Sequence, residues 1–543
     1  MHIESDLMDY TQPSFCLEQL RNLRTVDVHA THETLGLIIR GLLEGKPAPN
    51  QHLEVLEAAR EALDFVQTEL GGRYAARPLP PDGDENRTLH EVVALWQDVA
   101  RSYAHIAERD ADEGTLEDQR PLLAERRIFY AGLALFEYFR AHRALEPGMW
   151  HTVHEAYGAA LHAGLAEIRV AEPLNETWHA QSPRETYVAI LLVDLANPYG
   201  RSERELRWVL RWAQRFAPYC TLDEHIDEAK STTYGVELDS DLGLRPLGLL
   251  SRTATLLRFD GSTLATQIQA VMAQFRHGAK PASLGLGKDC STADAGRLLL
   301  SLYRPWGLAS AGRRFPRRNK TGEVALSGDW LAMGYLIQGE VFQQPNGGRH
   351  IGALRDDISL LTFGELVPEI DTPEKLARRR REQAALLGLE AASWTLLDQS
   401  VGGFRLQLLR DGDQARLEHH QLVAIRPPDG QAFLLADICW MMFRDDGALE
   451  LGINVLAGMP RVVAARPSSA ASRDPYHQAF LLPATPALKA AESVVLPAQW
   501  FRKARVVELR DGAATRMIEL DKLLLRGPNF DQCSFTDVTG AAS

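Results

Sequence analysis

The stretch Trp394-Thr395-Leu396-Leu397-Asp398-Gln399-Ser400-Val401-Gly402-Gly403 decides how this chain is read. Trp394–Gln399 reads as a strand and the glycine pair as a turn. Asp398, Ser400 and Gly403 fall in the spacing D-x-S-x-x-G, which sets a short carboxylate and a hydroxyl close together. Gly403 allows close backbone approach, and a positive φ if the turn needs one. Just upstream, Arg378, Arg379, Arg380 and Arg381 form a dense cationic run on a helical-looking link that Pro373 starts.

The order of arginine run, D-x-S-x-x-G and closely spaced strands resembles the signature of PilZ domains, small β-barrels that bind cyclic di-GMP. The resemblance extends to Leu451-Gly452-Ile453-Asn454-Val455-Leu456, which is similar to a late strand of those barrels with a glycine near the ligand side. It implies that Arg378–Arg381 clamp phosphates or guanine, that Asp398 and Ser400 read a guanine edge, and that Gly403 gives room. Arginine suits this role because it pairs bidentately with phosphate or guanine O6 and N7, and stacks on purines. The family's first motif is R-x-x-x-R. No two arginines of the 378–381 run are four apart, since position 382 is Glu. The spacing does occur earlier, as Arg313/Arg317 and Arg314/Arg318 in Gly312-Arg313-Arg314-Phe315-Pro316-Arg317-Arg318. Two alternatives stand for that region: a degenerate PilZ-like half, or a second basic site folding back toward the 398–403 strand.

The chain has 543 residues and a formal charge of −13. At ~150 residues per domain this leaves room for about three domains. An acidic balance argues against general nucleic-acid binding. No segment reaches the roughly 18 apolar residues of a membrane span. The N-terminus Met1–Asp6 has no apolar signal region. Five cysteines, scattered without C-x-x-C pairs, suit a reducing compartment. A cytoplasmic location and no metal are expected.

The pattern predicts an α+β multidomain protein: an N-terminal all-α helical bundle or solenoid, then a PilZ-like antiparallel β-barrel. Residues 1–220 carry helical periodicity, with Ser202 a candidate cap. Residues 221–345 read as a mixed α/β middle region, and 346–393 as a linker and arginine arm. Six short strands over 394–466 make the barrel, and 467–543 hold an additional β-unit and tail.

Other chemistries fit less well. His29/His32 and His151/His154, with His162 beyond, share helix faces but lack carboxylate or cysteine partners in a recognised metal arrangement. Leu284-Gly285-Leu286-Gly287-Lys288-Asp289 mimics a phosphate loop without the Walker spacing. The acidic cluster Asp223, Glu224, His225, Asp227 and Glu228 reads as a helix start. No enzyme motif is present, and no enzymatic activity or cofactor is expected. The resemblance implies a cyclic di-GMP effector acting on motility, pili, adhesion or exopolysaccharide, with a protein partner on the helical domain. The alternative is a ligand-independent adaptor or scaffold, a chaperone-like role included.

Overall fold

The computed structural model describes residues 8–225, 233–307, 318–319, 321–345, 373–400, 402–409, 416–468 and 474–538. The chain forms two compact units: Met1–Arg77 with Pro81–Arg314, and Pro78–Pro80 with Phe315–Ser543.

Among the described residues the first unit carries eight successive α-helices before its larger sheet: α1 (Pro13–Asn22), α2 (Val28–Gly45), α3 (Pro49–Gly71), α4 (Gly83–Glu113), α5 (Arg120–Arg140), α6 (Met149–His162), α7 (Pro183–Leu195) and α8 (Glu203–Phe216). Capping boxes start three of them, Asp82 with Glu85, Ser182 with Glu185 and Ser202 with Glu205. Each box satisfies two backbone donors that a helix start would leave bare. The hairpin β1 (Val170–Ala171) and β2 (Ala180–Gln181) follows α6. After α8 a four-stranded antiparallel sheet forms from β3 (Thr221–Asp223), β4 (Tyr234–Glu237), β5 (Arg245–Pro246) and β6 (Leu256–Asp260), in the order β3-β6-β4-β5. Helices α9 (Ser262–Arg276) and α10 (Thr292–Gly307) complete the unit.

One core runs through all of this, from Cys16 to Trp306. Trp306 donates from Nε1 to the Leu192 carbonyl of α7 at 2.8 Å. The elements from β3 to α10 therefore share the helical unit's core instead of making a separate one. An ionic cluster lies inside it. Arg126 bonds Glu57, Glu125 and Glu172, and Arg60 reaches Glu172 at 2.6 Å. Buried charges persist only when paired in this way.

The second unit holds two closed six-stranded antiparallel barrels. The first contains β8 (Glu323–Ser327), β9 (Ala392–Ser400), β10 (Gly403–Leu409), β11 (Leu422–Arg426), β12 (Leu434–Phe443) and β13 (Ala448–Val455). Its circuit runs β8-β9-β10-β13-β12-β11 and back to β8. A short strand, β7 (Arg318–Asn319), continues the β8 edge along β9. The second barrel contains β14 (Arg461–Pro467), β15 (His477–Leu482), β16 (Ser493–Pro497), β17 (Val506–Asp511), β18 (Ala514–Arg526) and β19 (Phe530–Asp537), in the order β14-β15-β16-β19-β18-β17. Two expectations are corrected here. Glu323–Ser327, placed by the sequence in the middle region, closes the first barrel. Arg461–Ala465, placed in the first barrel, opens the second. Its β14 pairs with β15 and β17, not with β13.

Helix α11 (Trp330–Gln338) and helix α12 (Pro373–Leu387) are inserted between β8 and β9. A third apolar cluster joins the barrels: Met333 of α11 packs with Leu422, Ala424, Leu435, Phe480, Leu482, Val495 and Phe530. Burying the larger of these side chains, alanine apart, stabilises by about 1.5–3 kcal/mol each. The Asn529 amide adds a two-point link, accepting the Leu422 N–H at 2.8 Å and donating to its carbonyl at 3.1 Å.

Within the helical unit, His52 is 1% exposed. Burial first, then the neighbouring His105 and Arg109, push its pKa down from 6.5 to about 4. The unfolded chain takes up this proton as pH falls below 6.5, and the folded chain resists until about 4. Stability is therefore lost across that window, by about 3 kcal/mol from this group. Urea denaturation of the chain at pH 7 and pH 4.5 should show the loss, and His52→Leu should reduce it.

Candidate functional site

The site is built on the outward face of the first barrel. Trp394 and Leu396 of β9 point into the barrel core. Strict alternation would send Asp398 inward as well. The β9–β10 register shifts between Leu396 and Asp398: Leu396 faces Leu406, and Asp398 faces Arg405. This bulge turns Asp398, and Ser400 two residues on, to the outside. Bulges re-aim side chains in this way. Ser400 faces Gly403, and its Oγ approaches the Gly403 carbonyl at 3.4 Å.

On the other edge of β9 lies β7. Arg318 is the register partner of Gln399, and Asn319 that of Asp398. The end of the R-x-x-x-R segment thus runs directly beside the D-x-S strand. Arg313, Arg314 and Arg317 lie outside the described residues, as do Asp227 and Glu228 of the acidic cluster. The run Arg378–Arg381 sits on α12. Arg378 pairs with Glu382 one turn on, at 3.4 Å. Arg380 rests on α11: its carbonyl accepts the Tyr335 hydroxyl at 2.9 Å, and its guanidinium covers Gly339. Arg378, Arg379 and Arg380 are exposed, as consecutive residues around a surface helix are.

Gly403 has a reason other than a positive φ, which it does not adopt. A Cβ there would stand 2.1 Å from the Ile453 carbonyl of β13. The neighbouring strand, not a turn, demands glycine.

From Asp398 a row of outward residues crosses the sheet. Asp398 faces Arg405, Arg405 faces Gly452, and Gly452 faces Trp440. Trp440 also follows a register shift, between Ile438 and Trp440 on β12. Its indole lies over Gly452, where a Cβ would stand 1.7 Å from Nε1. The Arg405 guanidinium is 6.0 Å from the indole centroid and bonds Glu450 at 2.7 Å. Glu450 is only 2% exposed although it points outward, because Arg405 and Arg444 cover it, Arg444 at 3.3 Å.

The other candidates resolve into structure. His154 accepts the Tyr187 O–H at Nδ1, 2.7 Å, and donates from Nε2 to the Leu242 carbonyl, 3.0 Å. A carbonyl only accepts, so Nε2 carries a proton, and burial lowers the ring's pKa. His32 contacts Gln67 at 3.1 Å, and His162 the Gly158 carbonyl at 2.7 Å. Among the described residues no group of three or more His, Cys, Asp or Glu could hold a metal, and no helix is long and apolar enough to cross a membrane.

The loop Leu284–Asp289 is gripped by α8. Arg215 bonds the Leu284 carbonyl at 2.6 Å and Trp212 the Leu286 carbonyl at 2.9 Å. Arg211 and Trp208 hold the Asp289 carboxylate at 2.6 and 2.7 Å. Burial opposes the Asp289 charge, and these two bonds overcome it, leaving its pKa below the usual carboxylate value. The glycines serve a tight internal loop, with φ of +71° at Gly285 and +98° at Gly287.

Fold and site together define a helical unit followed by two six-stranded barrels, the first with an arginine- and carboxylate-lined face. Residues 15–228 match the family model for the N-terminal domain of the cyclic-di-GMP receptor FimW. Residues 463–538 match the FimW C-terminal β-barrel domain. The chain is 22% identical to the cyclic-di-GMP receptor FimW of Pseudomonas aeruginosa over 567 residues, covering 96% of this chain and 91% of that protein. The chain is homologous to that receptor. The first barrel lies between the two segments matched by the family models. No solved structure matches the chain.

Gly403→Ala should destabilise the second unit by about 1–3 kcal/mol, since the added methyl meets a strand carbonyl it cannot displace. Chemical denaturation checks this, and an unchanged midpoint would show that β10 and β13 can separate there.

Proposed function

We propose that this chain is a cyclic di-GMP effector whose first barrel is a PilZ-like ligand domain. The observation that carries the reading is the β7–β9 register, which places Arg318 and Asn319 beside Gln399 and Asp398. The homologous FimW is a cyclic-di-GMP receptor by name, which supports the same ligand.

In this reading Arg314 and Arg318 take phosphate and guanine, as planar guanidinium groups do bidentately. Asp398 accepts guanine N–H groups, and Ser400 completes that edge. Arg378–Arg381 supply a basic helix surface instead of the clamp. The ligand is the small molecule alone, without a cofactor. Its binding favours one arrangement of the second unit by making tighter contact with it, the only way a ligand shifts an equilibrium. The output passes to a protein partner on the helical unit, in control of motility, pili, adhesion or exopolysaccharide, from a cytoplasmic location and without catalysis.

Calorimetric titration with cyclic di-GMP tests this. The wild-type chain should bind, and Asp398→Ala or the double variant Arg314→Ala/Arg318→Ala should weaken binding at least tenfold. The fourfold alanine variant of Arg378–Arg381 should stay within about threefold of wild type, because exposed charges outside the site act only through a salt-screened field. No heat with the wild-type chain would leave a ligand-independent adaptor. Loss of binding only in the 378–381 variant would return the clamp to α12.

A further inference from the structure

The outward row does not stop at Asp398. It continues over three interstrand steps of about 4.8 Å each to Trp440, and the chain spends a second bulge to bring that indole outside. Residues Ile438, Met441 and Phe443 of the same strand are core. Without the shift at Cys439, alternation would place Trp440 among them. The result is a half-buried aromatic ring laid flat on a glycine, on the same face and in the same row as the guanine-reading carboxylate.

A flat ring backed by a strand, with one broad face left outward, is the geometry of a stacking floor. Its edge is furnished as well. Glu450 holds the Arg405 guanidinium at 2.7 and 3.2 Å, so its position beside the indole is fixed before any ligand arrives. Arg405 lies between Asp398 and Trp440 in the row. A ligand with one purine at Asp398 and Ser400 and a second purine farther across the sheet would pass directly over it.

We infer that Trp440 is the stacking floor for a second purine of the ligand, with Arg405 as the cation between the two purine positions and Glu450 as its positioning residue. This rests on the cyclic di-GMP reading above and adds a second half-site to it. The ligand class it selects is a dinucleotide with two purines; a mononucleotide reaches only one half.

Tryptophan emission and calorimetry with the full chain, using cyclic di-GMP and GMP as probes, test the inference. Cyclic di-GMP should quench emission of the wild-type chain. Trp440→Ala should weaken its binding about tenfold, the order expected for a base–aromatic stack. Trp440→Phe should recover most of the affinity while the quench disappears. Glu450→Gln should weaken binding by releasing Arg405, with the melting temperature recorded to separate this from unfolding. GMP should bind weakly and be insensitive to Trp440→Ala. If Asp398→Ala abolishes binding but Trp440→Ala stays within twofold of wild type with the quench unchanged, Trp440 is surface packing and the inference is wrong. If the wild-type chain binds neither probe, the ligand reading itself fails and this half-site falls with it.

Discussion

Two residue pairs, Arg318 with Gln399 and Asn319 with Asp398, decide which upstream segment runs beside the D-x-S strand. They hold because the rest of the edge is fixed. Val324 and Leu326 of β8 and Trp394 and Leu396 of β9 are buried in one core. A slip of either strand by one residue would send its own pair to the wrong side, which makes the register expensive to change. The placement of β7 beside Asp398 thus depends on apolar side chains of the neighbouring strand pair. The bulge after Leu396 then turns Asp398 and Ser400 away from that core.

The same unit has a second constraint. The two barrels are not beads on a string. Leu422 and Ala424 of β11 point outward from the first barrel, yet both are fully buried, because α11 and the second barrel cover them. A Cβ at Gly527 would stand 2.0 Å from the His420 carbonyl, so the barrels approach to backbone contact there. Trp330 of α11 reaches the second barrel too, donating to the Gln478 carbonyl at 3.2 Å. This leaves the β9-β10-β13-β12 side of the first barrel as the face that carries Asp398, Arg405 and Trp440.

Much of this was legible in the chain. The helix periods, the Ser202 cap and the turn-separated strands after Trp394 gave an accurate order of elements, and D-x-S-x-x-G falls across the β9–β10 hairpin. What misled was the insertion. Helices α11 and α12 separate β8 from β9, so the first barrel strand stood far upstream of its partners and read as part of another region. The arginine run lies on α12, inside that insertion. Proximity along the chain favoured Arg378–Arg381, while hydrogen-bond pairing favours the segment ending at Arg318. Trp440 was hidden for a different reason. Leu434–Phe443 is apolar nearly throughout and shows no alternation, so a bulge inside it leaves no trace in the pattern.

Glu450 shows why the outward face is more than a covered surface. A carboxylate that is 2% exposed carries a desolvation cost of several kcal/mol unless it is paired. Arg405 and Arg444 offset that cost. An apolar pair of the same volume would hold the strands together at least as well, since buried ion pairs seldom outperform hydrophobic replacements in stability. What the ion pair supplies, and an apolar pair lacks, is a guanidinium held at a defined place beside an indole and in line with Asp398. A buried charge at this position orients Arg405 beside Trp440.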